Sequence, residues 1–158
     1  MIFYKKYIII YLQNKKGVFE LGLDNGITIC SSKRKLTRSD LPTYFNYPFQ
    51  QDYTDGKVEI CYARKCWGLR SDIIRHTDWD EVTENECYYR IYNPNKIYGL
   101  IERVASWLDQ KTWEEDGNSI WTYDEIRPNL VKWIINLAFA IPLMELNPEL
   151  YLEFYDSY

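Results

Sequence analysis

Arg75-His76-Thr77-Asp78-Trp79-Asp80-Glu81 sets the chain's single imidazole beside three carboxylates. A carboxylate that orients an imidazole is the arrangement general-base catalysis uses. His76, Asp78 and Asp80 could equally carry a small metal-dependent nucleic-acid enzyme. Nothing else supports that chemistry. No Gly-framed Ser or Cys nucleophile accompanies the histidine, and neither GxGxxG nor GxxxxGK[ST] occurs. A lone His at a helix C-terminus also serves simply to balance the helix dipole. The expectation is therefore a protein that is not an enzyme.

The cysteines are the second chemical feature. Cys30, Cys61, Cys66 and Cys87, or three of them with His76, would suffice for a tetrahedral structural zinc. Cys61 and Cys66 are separated by four residues across a strand-to-helix junction, a spacing that can bring both sulfurs to one ion. A CxxC knuckle is absent, and Cys66 already belongs to an apolar helical stripe. The expectation is thus no cofactor and buried apolar thiols, with zinc as the alternative.

Acidic residues form the third set. Asp78, Asp80, Glu81, Glu84 and Glu86 make one run, and Glu114, Glu115 and Asp116 another. They lack the glycine and the terminal glutamate of a calcium loop. Carboxylates spaced along an exposed face can instead imitate phosphates and enter a basic groove built for nucleic acid. Charge is also divided along the chain: residues 1–76 hold 13 Lys and Arg against 7 Asp and Glu, and residues 77–158 hold 6 against 16. Lys33, Arg34, Lys35 and Arg38, then Arg64, Lys65, Arg70 and Arg75, supply the basic part. The overall net charge of −4 and the lack of a reading motif argue against sequence-specific nucleic-acid binding. Tyr, Trp and Phe make up 27 of 158 residues, and Tyr in particular suits interfaces.

These residues need elements to position them. Residues 7–12, 18–23 and 27–30 predict an antiparallel meander, with turns at 14–17 and at Asp24-Asn25-Gly26, since Asn-Gly between apolar runs marks a hairpin. Ser39-Asp40-Leu41-Pro42 predicts a short helical turn reaching Phe45. A strand is predicted at 57–63, and an amphipathic helix with a basic outer side at 64–76. An acidic loop then runs from Asp78 to Glu86, and 87–92 is a strand. Asn93 and Pro94 open a helix over 94–109, with Ile97, Leu100, Ile101, Val104 and Leu108 as its stripe. Trp113 to Trp121 reads as a hairpin tip.

Thr122 and Glu125 predict a capping box, with Pro128 as the alternative first helical residue, for a helix that is apolar on nearly all sides from Leu130 to Ile141. Pro142 should end or bend it, and Asn147-Pro148 should begin a last short helix bearing Leu150, Tyr151, Phe154 and Tyr155. Strands first and helices later give an α+β fold: an N-terminal antiparallel β-meander, then strands and helices, with a central apolar helix near 123–141. The whole, 1–158, reads as a single domain. That helix is either central in a monomer, the favoured expectation, or half-buried in a homodimer. The apolar stretch Leu130 to Met144 looks too short and too polar to span a bilayer, and the start lacks a secretory signal, so a cytoplasmic protein is expected.

An acidic, aromatic-rich domain without catalytic motifs suits a non-catalytic inhibitor. The expected partner is a bacterial effector protein that handles nucleic acid, its basic channel occluded in the manner of a phage anti-CRISPR protein. An immunity protein capping a toxin is the alternative.

Overall fold

A computed structural model describes residues 24–45, 56–83, 88–116 and 120–157. The predicted strands 7–12 and 18–23, Glu84, Glu86 and Cys87 lie outside the described residues. Within them the chain is α+β. Its strands are β1 (Asp24–Ser31), β2 (Val58–Arg64), β3 (Glu81–Thr83), β4 (Tyr88–Ile91) and β5 (Leu150–Ser157). Its helices are α1 (Trp67–His76), α2 (Ile97–Ser106), α3 (Gln110–Asp116) and α4 (Tyr123–Leu146).

The five strands form one antiparallel sheet in the order β2-β1-β5-β4-β3. The register separates two faces. On one, Cys61, Ile27, Phe154, Tyr89 and Val82 stand side by side, with Ile29, Leu152 and Ile91 one step along. This apolar face joins Leu130, Trp133, Leu137, Leu100 and Val104 of the helices in one core. On the other face the rung Glu59–Thr28–Glu153–Arg90–Glu81 crosses all five strands.

The last segment corrects the predicted terminal helix. Leu150, Tyr151, Phe154 and Tyr155 fit helical spacing. However, Leu150, Leu152 and Phe154 alternate toward the core while Glu153 points to the other side, and all four are buried. β5 is the central strand. Asn25-Gly26 is likewise no turn but lies inside β1. A Cβ at position 26 would sit 2.4 Å from the Cys61 carbonyl oxygen and 3.0 Å from the Tyr155 ring. The glycine is there for close approach between neighbouring strands.

Three smaller corrections follow from local hydrogen bonding. The turn near residue 40 is a 3-10 turn over Arg38–Asp40, opened by Thr37, whose N–H donates to Asp40 Oδ2 at 2.7 Å. It ends before Phe45. The acidic loop contains β3, whose Glu81–Thr83 pairs with Arg90, Tyr89 and Tyr88. The first part of the expected hairpin tip, through Asp116, belongs to helix α3, fixed by Trp113: its indole N–H donates to the Trp121 carbonyl at 2.9 Å, and its ring meets Trp107 edge-on at 5.9 Å.

Helix α4 starts as expected. The Thr122 N–H donates to Glu125 Oε2 at 2.8 Å, and the Thr122 hydroxyl accepts from the Glu125 N–H. Pro142 does not end it; the helix runs on to Leu146 with both Pro128 and Pro142 inside. Both prolines are exposed, as are Asp124 and Ala138 four residues before them. The carbonyls left without a donor are therefore within reach of water. At 24 residues α4 is long and apolar enough, by length and composition, to cross a membrane, a length the sequence reading had set too low.

α4 also covers the edge of the sheet at β2. The carbonyls of Ile60, Tyr62 and Arg64 point away from β1, because that of Cys61 points toward it and strand carbonyls alternate. Asn136 Nδ2 donates to Ile60 O at 2.6 Å. Asn129 Nδ2 and Trp133 Nε1 donate to Tyr62 O at 2.8 and 3.2 Å. Trp121 Nε1, just before the helix, donates to Arg64 O at 2.7 Å. An edge whose acceptors are already taken is a poor template for another strand.

Candidate functional site

The predicted acidic residues divide by what holds them. Asp80 accepts from the N–H groups of Tyr92 and Asn93 at 2.7 and 2.9 Å and pairs with Lys96 Nζ at 2.7 Å. Burial alone would raise its carboxyl, but Lys96 and the two N–H groups outweigh that and hold it below the usual range. Asp78 meets the same ammonium at 3.2 Å, with a side chain 80% exposed. Glu81 takes the Tyr92 hydroxyl and Arg90. Asp80 and Glu81 thus fasten β3 and the strand-to-helix bend at Tyr92-Asn93.

Two members of the second acidic group face outward. Glu114 and Glu115 lie exposed on α3. Gln110 Nε2 donates to Glu114 at 2.9 Å, and Glu115 is 3.7 Å from Lys111. Asp116 is the last residue of the helix. Glu114 shares a groove of about 400 Å³ with Asp124, Tyr123 and Trp121. On the far side of Trp121 lies a cleft of about 250 Å³, whose lining includes Arg64, Glu125, Asn129 and Lys132. Trp121 is 37% exposed, yet its indole N–H is held by Arg64 O and its own carbonyl by Trp113. A large aromatic with both ends fixed loses little freedom on binding, the condition for an interface hot spot. The sequence had placed Glu114 and Glu115 on a hairpin tip. Asp124 and Trp121 were missed because their proximity depends on α3 folding back against the start of α4.

The polar rung is the other constellation sequence reading missed. Glu153, 1% exposed, takes Lys57 on one carboxylate oxygen and Arg90 Nε on the other at 2.7 Å. The Arg90 guanidinium lies between the rings of Tyr88 and Tyr151. Burial opposes the charge of Lys57, but Glu153 outweighs it and raises the ammonium's pKa. Burial pushes the Tyr151 hydroxyl up to about 12. Buried Glu59 accepts from the Tyr155 hydroxyl. A carboxylate with a cation on each oxygen ties β4, β5 and Lys57 together.

His76 faces Asp72, one turn back on α1, at 3.8 Å, too far for a hydrogen bond. Asp72 Oδ2 instead accepts the Trp107 indole N–H at 3.0 Å, which ties α1 to α2. The structure therefore brings Asp78 and Asp80 together on Lys96 and gives His76 a different neighbour.

Cys30, Cys61 and Cys66 are buried free thiols. Their sulfurs face Thr28 Oγ1 at 3.5 Å, the Trp133 carbonyl at 4.0 Å and the Arg64 carbonyl at 3.4 Å respectively. Burial pushes the Cys30 thiol up to about 11 and that of Cys61 well above its ordinary value. Among the described residues, no three His, Cys, Asp or Glu side chains are grouped as metal ligands would be. Set against known proteins, the chain matches no family model, no curated protein and no solved structure.

Proposed function

We propose that the chain is a non-catalytic binding protein that engages a basic protein partner through the corner where α3 meets α4. One observation carries this reading: Trp121, fixed at both ends and still partly exposed, stands beside a groove whose lining includes Glu114 and Asp124. Aromatic anchors within complementary charge supply affinity and steering together. The acidic run at 78–81 contributes less, because Asp80 and Glu81 are already committed to internal partners.

The sharper form of the proposal is inhibition of a bacterial effector that handles nucleic acid, inside the cytoplasm of its host. Carboxylates spaced on a corner can stand in for phosphates at a basic channel. An immunity protein covering a toxin would use the same corner.

Capture from host lysate followed by mass spectrometry identifies the partner, and the purified pair then tests the surface. Binding should weaken steeply with salt. Charge reversal of Glu114 and Asp124, or Trp121→Ala, should lower affinity without unfolding the chain. Unchanged binding in all three variants would remove this corner as the interface.

A further inference from the structure

Helix α4 meets two surroundings. One side, with Ile126, Leu130, Trp133, Leu137, Ala140 and Met144, is buried. The opposite side is exposed and mostly apolar, with exposed Lys132 as the one charge beside its middle. Pro128, Ile135, Phe139, Pro142 and Leu146 are all open to solvent, Ile135 at 44%, Phe139 at 36% and Leu146 at 82%. At 3.6 residues per turn these five fall within about 60° of one another and form a strip roughly 27 Å long. Tyr44, 51% exposed, packs on Phe139 at 4.5 Å and widens it. Single exposed apolar residues are ordinary; a continuous strip marks a contact surface.

The flanking charges indicate what covers it. Arg127 and Glu145 are both exposed and stand five helical turns apart, so they lie on the same flank of the strip. Neither makes an ion pair among the described residues. We propose that the outer face of α4 binds a second copy of this chain, antiparallel, about a two-fold axis at the level of residue 136. In that register Ile135 lies against Ile135 and Phe139 of the other copy. Val131 meets Phe139 and Pro142, and Pro128 meets Pro142 and Leu146. Arg127 faces Glu145 twice, once from each copy, as an isologous contact requires. Parallel pairing about a two-fold would carry each charge to the flank opposite its own copy and would bring no Arg127 to a Glu145.

Sedimentation velocity and light scattering on the full chain, over a wide concentration range, test this. The wild-type chain should approach twice the mass of one copy as concentration rises. Arg127→Glu and Glu145→Arg, each alone, should weaken the dimer by about tenfold or more, because each puts like charges together at two places. The double variant should regain dimerisation, as should an equimolar mixture of the two single variants. Phe139→Ser should leave monomer. All these positions are exposed, so circular dichroism should show every variant folded. A wild-type chain monomeric throughout would overturn the proposal. So would a dimer insensitive to both charge variants, or Phe139-dependent binding to lipid vesicles in place of self-association.

Discussion

Asn136 donates its side-chain amide to the Ile60 carbonyl at 2.6 Å, from a position with no solvent exposure. The one fully buried polar residue of α4 is thus a bond to the sheet edge. Asn136→Leu would keep the volume but leave the Ile60 carbonyl buried without this donor. It should lower unfolding free energy by roughly 1–3 kcal/mol in urea titrations. An Asn136→Leu protein as stable as wild type would show that this one cap contributes nothing.

Two glycines should respond in opposite directions. At Gly26 the new methyl would meet backbone, the Cys61 carbonyl oxygen at 2.4 Å, so β1 and β2 would have to separate. Gly26→Ala should cost about 2 kcal/mol or more. Gly99, exposed in α2, has nothing within 4 Å of a built Cβ. Gly99→Ala should stabilise by roughly 0.5–1 kcal/mol through helix propensity. Thermal melts of the two variants decide both.

Stability should fall at both ends of the pH scale for separate reasons. The Asp80 and Glu81 carboxyls are held below their ordinary values of 3.8 and 4.5. Their contribution is present above those values and lost as pH falls through the lowered ones. The Lys57 ammonium is held above its ordinary 10.5, so its contribution is present below that value and lost as pH rises through the raised one. Urea midpoints measured against pH should form a plateau between the two. Asp80→Asn should weaken the acid limb and leave in place the part of the alkaline limb that Lys57 supplies; loss of both limbs would contradict the assignment.

Thiol chemistry should be silent in the native protein. Cys30, Cys61 and Cys66 are buried, and the thiols of Cys30 and Cys61 are pushed up. Alkylating reagents attack the thiolate. In a Cys87→Ser background, no labelling is expected near neutral pH until denaturant is added. Prompt modification of the folded chain would show that one of these sites opens. Zinc content of the purified protein, measured by elemental analysis, tests the metal alternative independently.

Local signals predicted well where local physics decides. Thr122 and Glu125 marked the start of α4 because a capping box is self-contained, and Pro128, the alternative start, lies inside the helix. Asn93 and Pro94 did the same for the 3-10 turn that leads into α2. Residues 57–63 read as a strand through their alternation, and β2 spans Val58–Arg64. The failures share one cause, which is that a distant neighbour decided. Gly26 looked like a turn until Cys61 and Tyr155 were placed beside it. Leu150 to Tyr155 looked helical because both faces of β5 are buried, one of them around Glu153. In the candidate site, Glu114 and Glu115 were visible as charge. Trp121 and Asp124 became partners only through the fold of α3, and Arg90 and Glu153 only through strand pairing.

The place of β5 has a consequence for the order of events during translation. Among the described residues, β5 is the only strand joining the β1–β2 pair to the β3–β4 pair. Thr28 and Glu153, neighbours in the finished sheet, are 125 positions apart. A nascent chain halted before Leu150 would hold two unjoined ribbons, with the β1 and β4 edges and the apolar underside of α4 lacking their cover. Such intermediates attract chaperones and aggregate readily. The ribosome must therefore deliver β5 before the sheet can close, and yield in the cell should depend on how quickly the strand is released into that gap.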